Sequence, residues 1–457
     1  MRLKLPSIAA IVATLSLLPV TGCELDVPDL NNPSIDELEK NPTRSSVTAA
    51  ATGLLIGNRR NRAQANGYIA QLGILGREAY NFDQADPRFI GELLKGPLQQ
   101  GSPFGGNFWA GPYANIRLAN IVQRAVEQVA EFSREEVAAI RGFSRTIEAT
   151  DLLEVAVTRD TIGGVIDTDR ALGGGLGAIV GKEAMLTEIA KLLDDGAADL
   201  GMGGAAFPFE MSRGYAGFDD PMGFLQFNRA IRARVAAYMK DYPTVLTALG
   251  ESFIDATVTA VDELQVGVFH SYSTASGDAV NNLINPNLFA HPSFRDDAME
   301  SGGTPDARLT RKTRTTPTPG NAQGLTSNLK YTIYGNNQAP VPIIRNEELL
   351  LLRAEARYFT GDAVGATADL NLVRTVSGGL PGIAQPADQD MFIDALLYER
   401  RYSLAFEGHR WIDVRRFDRV MTLPLDMPDH VRNLRYPIPT AECDARPGEP
   451  ACLLGSQ

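Results

Sequence analysis

Apolar residues recur every three to four positions in seven segments of the chain, which is the period of an amphipathic α-helix. These segments are 34–57, 113–130, 134–157, 182–200, 224–240, 346–360 and 389–406. Four long stretches between them show no helical period, namely 81–112, 160–181, 201–223 and 255–340. The last of these is dense in Asn, Thr, Ser, Pro and Gly, and irregular segments of this length usually carry function. The pattern therefore predicts a mostly helical domain with long irregular loops.

Two segments have the pattern of paired helices with small residues where the helices cross. In the segment 345–374 a break at Gly361 separates two helical patterns, and the segment 224–253 repeats this arrangement around Lys240. Such hairpins are typical of tetratricopeptide repeats, although the residues of that consensus are not all present. Ordinary antiparallel helix packing explains the same pattern, and both interpretations stay open at this point.

The first 22 residues have the features of a bacterial secretion signal. Arg2 and Lys4 precede an apolar run over 8–20, which is too short to span a membrane. Residues 20–23 read Val-Thr-Gly-Cys and resemble a lipobox, after which the cysteine would carry acyl chains that anchor the protein. An ordinary signal peptide with a chance cysteine is the alternative. We expect a signal peptide over 1–22, an acylated Cys23, a polar tether over 23–34 and one folded domain over 35–457.

The chain is acidic, with a formal net charge of −12 at pH 7. Binding to a nucleic acid backbone needs clustered Lys and Arg, so we expect no nucleic acid partner. The four histidines show no ligand spacing, and we predict no metal site and no cofactor. Apart from Cys23 the sequence contains two cysteines, Cys443 and Cys452. An exported protein allows a disulfide between them, and a redox or metal role is the alternative.

The stretch 398–417, YERRYSLAFEGHRWIDVRRF, combines both signs of charge with aromatic residues. The apolar side of its helix would bring the charged residues against protein, where carboxylates and guanidinium groups can pair in a partly buried network. The residues expected in this structural network, with Gly408 as the helix stop, are Glu399, Arg400, Glu407, Gly408, Arg410, Trp411 and Asp413. A glycan platform and a catalytic site are the alternatives.

Four elements, in this order along the chain, resemble the SusD/RagB family of nutrient-binding outer-membrane lipoproteins. They are the lipobox at Cys23, the element Trp109-x-x-x-Tyr113-x-x-Ile116-x-x-x-Asn120, the block 347–374, and the block 399–417 followed by Tyr436-Pro437-Ile438-Pro439. The resemblance implies a mostly α fold, a superhelix of tetratricopeptide-like hairpins with long irregular loops and a few short strands. It also implies a surface-exposed, lipid-anchored protein that binds an oligosaccharide or another oligomeric nutrient and forms the lid of a SusC-type TonB-dependent transporter.

Two loop regions combine aromatic rings with polar side chains, as sugar recognition requires. The candidates in the first region, which precedes the helix near Tyr113 as ligand contacts tend to do in the family, are Tyr80, Asp83, Arg88, Phe104, Asn107 and Trp109. Those in the second are Tyr272, Asn287 and Phe289. Trp109 has an equally strong interpretation as a core anchor. Because the chain has only two tryptophans, a peptide ligand also stays open.

Two other function classes remain. A tetratricopeptide-type adaptor would bind envelope proteins without a small ligand, but such adaptors rarely need loops as long as 255–340. A surface glycoside hydrolase would need two carboxylates about 5 to 9 Å apart, one with a raised pKa. The arginines in 398–417 would lower the pKa of neighbouring carboxylates, and the sequence contains no Gly-x-Ser-x-Gly, phosphate-loop or His-Glu-x-x-His motif. We therefore expect a binding protein and not an enzyme.

Overall fold

The computed structural model describes residues 34–170 and 173–457, so the predicted signal peptide and Cys23 lie outside the described residues, as does nearly all of the tether. Within that part the fold is mostly α, with seventeen α-helices and ten strands that form two-stranded antiparallel pairs. The predicted fold class is confirmed. No described helix is both long and apolar enough to cross a membrane.

The helices are α1 Ile35–Lys40, α2 Arg44–Asn58, α3 Tyr68–Leu75, α4 Arg88–Gly91, α5 Ala110–Val126, α6 Arg134–Arg159, α7 Lys182–Leu200, α8 Pro221–Met239, α9 Tyr242–Gly250, α10 Val261–Leu264, α11 Ser293–Asp296, α12 Ala307–Lys312, α13 Asn346–Phe359, α14 Ala363–Val376, α15 Gln389–Ser403, α16 Arg410–Arg416 and α17 Thr440–Asp444. The strands are β1 Ala79–Asn81, β2 Gly164–Val165, β3 Ile179–Val180, β4 Gly267–His270, β5 Leu288–Ala290, β6 Glu300–Ser301, β7 Thr304–Pro305, β8 Thr313–Ala322, β9 Leu325–Tyr331 and β10 Val341–Arg345.

Helix boundaries follow the local capping chemistry. The segment predicted as one helix over 34–57 is split by Pro42, and Thr43 caps α2 by accepting a hydrogen bond from the backbone N–H of Ser46 at 3.1 Å. The stop predicted at Gly361 is present, with the glycine at φ +94°. Asp362 then caps α14 by accepting from the N–H of Gly365 at 2.8 Å. Both helix pairs predicted from sequence, α8 with α9 and α13 with α14, form and pack together.

The long helices α6 and α7 approach each other closely through two glycines. A Cβ atom at Gly142 would lie 2.7 Å from the carbonyl oxygen of Gly196, closer than real contacts allow. These two positions therefore let the helix backbones touch, as small residues do wherever helices cross at short range. Helices α5 to α9 stack in chain order, each against the next. Helix α9 also packs on α13.

The stretch 255–340 contains strands whose positions the hydrophobic pattern did not indicate. Strand β4 pairs with β10, β5 pairs with β1, and β8 and β9 form a hairpin that turns at Gln323 and Gly324, both at positive φ. Strand β8 is exposed along most of its length and contains two prolines, so it has no alternation of apolar and polar residues. For this reason periodicity could not distinguish it from a loop.

The charged residues of 398–417 lie inside the protein, within a set of ion pairs that joins α8, α12, α13, α14, α15, α16 and the end of β10. Glu399, Arg400 and Asp413 are each at most 3% exposed. The pairs, with their N···O distances, are Arg308–Asp306 at 2.6 Å, Arg308–Glu399 at 2.7 Å, Arg374–Glu399 at 2.8 Å, Arg345–Glu407 at 2.7 Å, Arg234–Glu348 at 2.6 Å, Arg400–Asp413 at 2.8 Å and Arg416–Asp413 at 3.0 Å. We call these residues the ion-pair network.

The turn after α15 completes this region. Helix α15 ends at Ser403, three residues before the predicted end, and Phe406 and Gly408 both have positive φ. The chain then forms the short helix α16, which the sequence did not indicate. Trp411 is fully buried in α16 and its indole N–H donates to the carbonyl oxygen of Asn433 at 2.8 Å, while the side chain of Arg410 donates to the carbonyl of Gly76 at 3.0 Å.

A disulfide joins Cys443 and Cys452 near the C-terminus. The segment that contains it lies on the loop before α5, where Gln100 donates to the carbonyl oxygen of Cys452 at 2.7 Å and Ser456 accepts from the N–H of Leu98 at 2.9 Å. The bridge therefore restrains a C-terminal segment that covers residues 98–101.

Removal of one carboxylate from the ion-pair network should destabilise the protein strongly. Burial raises the pKa of Glu348, but Arg234 and other nearby cations outweigh burial, and the pKa falls to about 2. Because this value lies below that of the unfolded chain, the carboxylate stabilises the fold at neutral pH and loses this contribution as the pH falls from about 4.5 to about 2. We expect Glu348→Gln to lower the free energy of unfolding at pH 7 by about 3 kcal/mol, since it leaves Arg234 buried without its partner.

Urea unfolding between pH 7 and pH 3 measures both effects. Asp195→Asn is the matched control, because Asp195 pairs with Lys191 on the surface and such pairs contribute at most about 1 kcal/mol. The same loss of stability in both variants, or an unchanged acid dependence in Glu348→Gln, would contradict the role given to the network.

Candidate ligand-binding cleft

The two predicted loop regions meet in the structure, but their aromatic rings are buried. Strands β1 and β5 pair with Tyr80 opposite Phe289, and these residues are 2% and 7% exposed. The rings of Phe82 and Phe289 lie 5.4 Å apart, and a Cβ atom at Gly320 of the β8–β9 hairpin would come within 2.3 Å of Phe289. The hairpin thus covers these rings, and the expectation that Tyr80 and Phe289 present faces to a sugar is wrong.

Phe104 and Trp109 are also core residues. The ring of Phe104 is 1% exposed, lies 4.9 Å from that of Phe89 and is covered by the guanidinium of Arg88. The expectation of an exposed ring at Phe104 is therefore wrong as well. Trp109 packs on Tyr113 with ring centroids 4.8 Å apart, and its indole N–H donates to Glu442 at 3.2 Å. This is the arrangement of a core anchor, the second interpretation that the sequence allowed.

The polar candidates of the two loops are more accessible. Asp83 lines a shallow pocket of about 330 Å³ between the α4 loop and the tip of the β8–β9 hairpin, where Gln323 donates to the carbonyl oxygen of Pro87 at 3.1 Å. Arg88 beside it is held by both carboxylate oxygens of Asp86 at 2.8 Å. No aromatic residue lines this pocket, so it offers hydrogen bonds without a stacking surface.

Asn107 and Asn287 are half-buried and contribute main-chain contacts. The carbonyl oxygen of Asn107 accepts from Arg159 at 2.7 Å, and that of Asn287 accepts from the N–H of Phe82 at 2.9 Å. Their side chains do not lie in the same cavity as Tyr272. The nine predicted ligand residues are therefore not brought together into one site.

A second cavity, of about 740 Å³, lies beside β4, between the C-terminal end of α2, the segment 210–216 and the loop that follows β4. We call it the β4 cleft. Its volume falls in the range of small-molecule sites, which is roughly 300 to 1,000 Å³. The residues that line the cleft include Leu55, Ile56, Arg59, Glu210, Met211, Arg213, Gly214, Tyr215, Ala216, Phe269, His270, Ser271, Tyr272, Asp278 and Gln338.

One wall of the β4 cleft depends on a glycine. The backbone N–H of Gly214 donates to the hydroxyl oxygen of Ser271 at 2.7 Å. A Cβ atom at this position would lie 1.8 Å from the carbonyl oxygen of Phe269, a separation that no side chain tolerates. Only glycine therefore lets the segment 210–216 lie directly against β4 and close the cleft on that side.

The opposite wall depends on Arg59 at the end of α2. Its guanidinium donates to the carbonyl oxygen of Ser271 and to the carboxylate of Asp278, and lies 5.8 Å from the ring centroid of Tyr272. Tyr272 is 6% exposed, and its hydroxyl has no hydrogen-bond partner among the described residues. Burial raises the pKa of this phenol, so it stays protonated. Arg59 thus ties the loop after β4 to the helical scaffold.

The lining of the β4 cleft is mixed and carries balanced charge. Leu55, Ile56, Met211 and Phe269 supply apolar surface, and Ile56 is 53% exposed. Burial, with help from Arg62 and Arg59, lowers the pKa of His270 well below 6.5, so this histidine is neutral at physiological pH. The charges of Arg59 and Asp278 offset each other.

The rim of the cleft adds Glu210 and Arg213, which are exposed and of opposite sign. The cavity therefore has the composition of a site for an uncharged, partly apolar ligand.

Sequence reasoning found Tyr272 but missed the other residues of this cleft. Three separate segments contribute Arg59, Arg213 and Phe269. These segments meet only where β4 pairs with β10 and Gly214 lies against β4. No local motif marks them, because each segment alone has an ordinary composition.

Residues 290–442 match the model of the SusD family. A SusD-like protein, P38, from Formosa agariphila is 33% identical over 86 residues, a stretch that covers 17% of this chain and 17% of that protein. Over residues 290–442 the chain is therefore similar to the SusD family. The SusD/RagB resemblance seen in the sequence is thus confirmed.

Solved structures of SusD-like proteins share the fold over nearly the whole chain. A SusD superfamily protein from Bacteroides vulgatus has a TM-score of 0.69 at 15% identity, over 91% of this chain and 99% of its own. A SusD-like carbohydrate binding protein from Bacteroides fragilis has a TM-score of 0.65 at 15% identity, over 90% and 99%. A laminarin binding SusD-like protein has a TM-score of 0.63 at 14% identity, over 88% and 97%.

The family match and the β4 cleft occupy different parts of this protein. The segment 290–442 contains most of the ion-pair network, whereas most residues of the cleft lie before residue 290. The family match therefore covers part of the scaffold, and the evidence on the ligand comes from the cleft itself.

Loss of the bond between Asp278 and Arg59 should loosen the loop after β4. We expect Asp278→Asn to increase amide hydrogen exchange in 273–279 several-fold, with a change of at most about 1 kcal/mol in the free energy of unfolding, because the pair is partly exposed. Hydrogen exchange with mass spectrometry measures this, and Asp195→Asn serves as the control. Unchanged exchange in 273–279 would show that Arg59 does not hold the loop.

Proposed function

We propose that this protein binds an oligosaccharide in the β4 cleft and delivers it to a SusC-type TonB-dependent transporter in the outer membrane. It acts as a lipid-anchored, surface-exposed binding protein and as the lid of that transporter. The observation that carries the proposal is the β4 cleft itself, an open cavity of about 740 Å³ with both apolar and hydrogen-bonding side chains on a rigid helical scaffold.

The chemistry of the cleft supports a glycan as ligand. A sugar ring has apolar C–H faces and a rim of hydroxyl groups, so it needs apolar surface beside donors and acceptors. Phe269 and Met211 offer the apolar surface. Arg213, Glu210 and Gln338 offer the hydrogen-bond donors and acceptors. A carbohydrate binding protein and a laminarin binding protein share this fold, which supports the same ligand class here.

The proposed place at the membrane rests on the N-terminus and on the family. The basic residues, the apolar run and the lipobox at Cys23 are the features of an exported and acylated protein. Acyl chains hold such a protein at a membrane, since each buried methylene contributes about 0.8 kcal/mol. A binding protein fixed there can pass its ligand to a transporter, which gives the transporter partnership its physical rationale.

Hydrolysis of the glycan receives no support from the carboxylates of the cleft. Burial raises the pKa of Asp278, but hydrogen bonds from Ser273, from the N–H of Ala279 and from Arg59 outweigh it, and the net shift is downward. A general acid needs the opposite shift. Glu210 is exposed to solvent at the rim of the cleft. Binding without turnover is therefore the proposed role.

Obstruction of the β4 cleft should abolish glycan binding. Ala216 is exposed and lines the cavity, so Ala216→Trp would place an indole inside it without disturbing the core. We expect affinity for the bound oligosaccharide to fall at least about 10-fold, because a filled cavity cannot accept a sugar ring. Isothermal titration against a panel of neutral and acidic oligosaccharides, including laminarihexaose, measures this.

Ala205→Trp is the matched control, since Ala205 is also exposed but does not line the cleft. A parent protein that binds no member of the panel would contradict the proposed ligand class. Equal binding by Ala216→Trp and the parent would place the site elsewhere.

The transporter partnership is tested with the native, acylated protein. We expect a TonB-dependent barrel to co-purify in detergent at comparable amounts, and Cys23→Ala to lose membrane attachment because the acyl chains are absent. Quantitative mass spectrometry of the purified material reads out both. If no barrel appeared and soluble envelope proteins did, the delivery role would be wrong, and the adaptor function would replace it.

A further inference from the structure

Phe269 differs from every other aromatic residue of the chain, all of which lie in the described part. Each of the others contacts a second aromatic ring or lies beside the guanidinium of an arginine. Phe269 has neither kind of partner and does not belong to any hydrophobic core cluster of the described residues. It is half-buried and lines the β4 cleft.

The position of Phe269 in β4 explains why its ring is available. Val268 and His270 are buried, whereas Gly267 and Phe269 are half-buried, which is the alternation of a strand with one covered face. The side chain of Phe269 therefore points away from the core on the side of the cleft. An apolar ring left in water costs free energy that a ligand covering it would recover.

The charge of the cleft restricts what can cover this ring. Arg59 is already paired with Asp278, and the exposed Glu210 and Arg213 have opposite signs and no ion-pair partner among the described residues. An acidic sugar would approach Glu210 and Asp278 as well as the arginines, and a basic ligand would meet the two arginines. Neither an acidic nor a basic ligand gains a net electrostatic attraction, so a neutral ligand fits best.

We propose that Phe269 is the stacking platform of the β4 cleft and determines specificity for an uncharged sugar ring. The inference rests on the proposed function and adds the residue and the charge class of the ligand. The ring of Phe269 covers one C–H face of the sugar, and Arg213, Glu210 and Gln338 reach its hydroxyl groups at the rim. The rings of Tyr215 and Tyr272 are buried in the cleft walls and do not stack on ligand.

Removal of the ring tests the platform. We expect Phe269→Ala to weaken binding of a neutral oligosaccharide such as laminarihexaose about 10-fold, and Phe269→Trp to keep it, since a larger aromatic face stacks at least as well. Acidic oligosaccharides, for example oligogalacturonate, should bind more weakly than neutral ones to the parent protein. Isothermal titration at low salt gives the affinity of the parent and of both variants for the neutral ligand, and of the parent for the acidic one.

The matched control is Phe359→Ala, which removes a half-buried ring that stacks on Tyr242 and does not line the cleft. It should leave the affinity unchanged, although it costs some stability. Thermal unfolding of all variants shows that each one is folded before its affinity is compared.

Fluorescence gives a second readout that does not depend on affinity. The natural tryptophans, Trp109 and Trp411, are 5% and 0% exposed and lie outside the cleft. The indole of Phe269→Trp would therefore be the one that contacts sugar, and its emission should shift when laminarihexaose is added.

The outcomes separate the inference from the proposed function. If Ala216→Trp abolishes binding but Phe269→Ala does not, or if acidic oligosaccharides bind more tightly, the platform is wrong and the cleft stands as the glycan site. If no oligosaccharide of the panel binds the parent protein, the proposed function fails and the inference fails with it.

Discussion

The buried pairing of arginine with glutamate and aspartate is the constraint on which the rest of this structure depends. A charge inside a protein costs several kcal/mol unless an opposite charge and hydrogen bonds satisfy it, so each carboxylate of the ion-pair network fixes the position of its arginine. Glu399 holds Arg308 from α12 and Arg374 from α14 at the same time, and Asp413 holds two further arginines. Helices that contribute to these pairs cannot shift independently. The network therefore specifies one arrangement of the C-terminal helices.

This arrangement reaches the β4 cleft through β10. Arg345 ends β10 and pairs with Glu407, and Arg234 of α8 donates both to Glu348 and to the carbonyl oxygen of Ile343 within the strand. Strand β10 is the partner of β4. The network thus fixes the strand that carries Phe269, and Gly214 and Arg59 complete the cleft around it. A ring presented from such a scaffold loses little conformational freedom when it binds, which favours affinity.

The sequence predicts helix boundaries that depend on residues close together along the chain. Helix α7 begins and ends where periodicity predicts, and the breaks at Gly361 and Lys240 follow from left-handed backbone conformations. The candidate site was less accessible, because exposure of an aromatic ring is a property of tertiary packing. Tyr80, Phe104 and Phe289 have the composition of a sugar platform, yet neighbouring rings and the β8–β9 hairpin cover them. Phe269 became a candidate only when the pairing of β4 showed which side of the strand is open.

In the proposed arrangement, a neutral sugar ring stacks on Phe269 in a cleft fixed by the ion-pair network. The most direct measurement is a crystal structure of the protein soaked with laminarihexaose or the best neutral ligand of the panel. We expect a sugar ring parallel to the ring of Phe269 at van der Waals distance, with its hydroxyl groups hydrogen-bonded to Arg213, Glu210 or Gln338. A sugar bound instead at Asp83 and Gln323, with the β4 cleft unchanged, would contradict it.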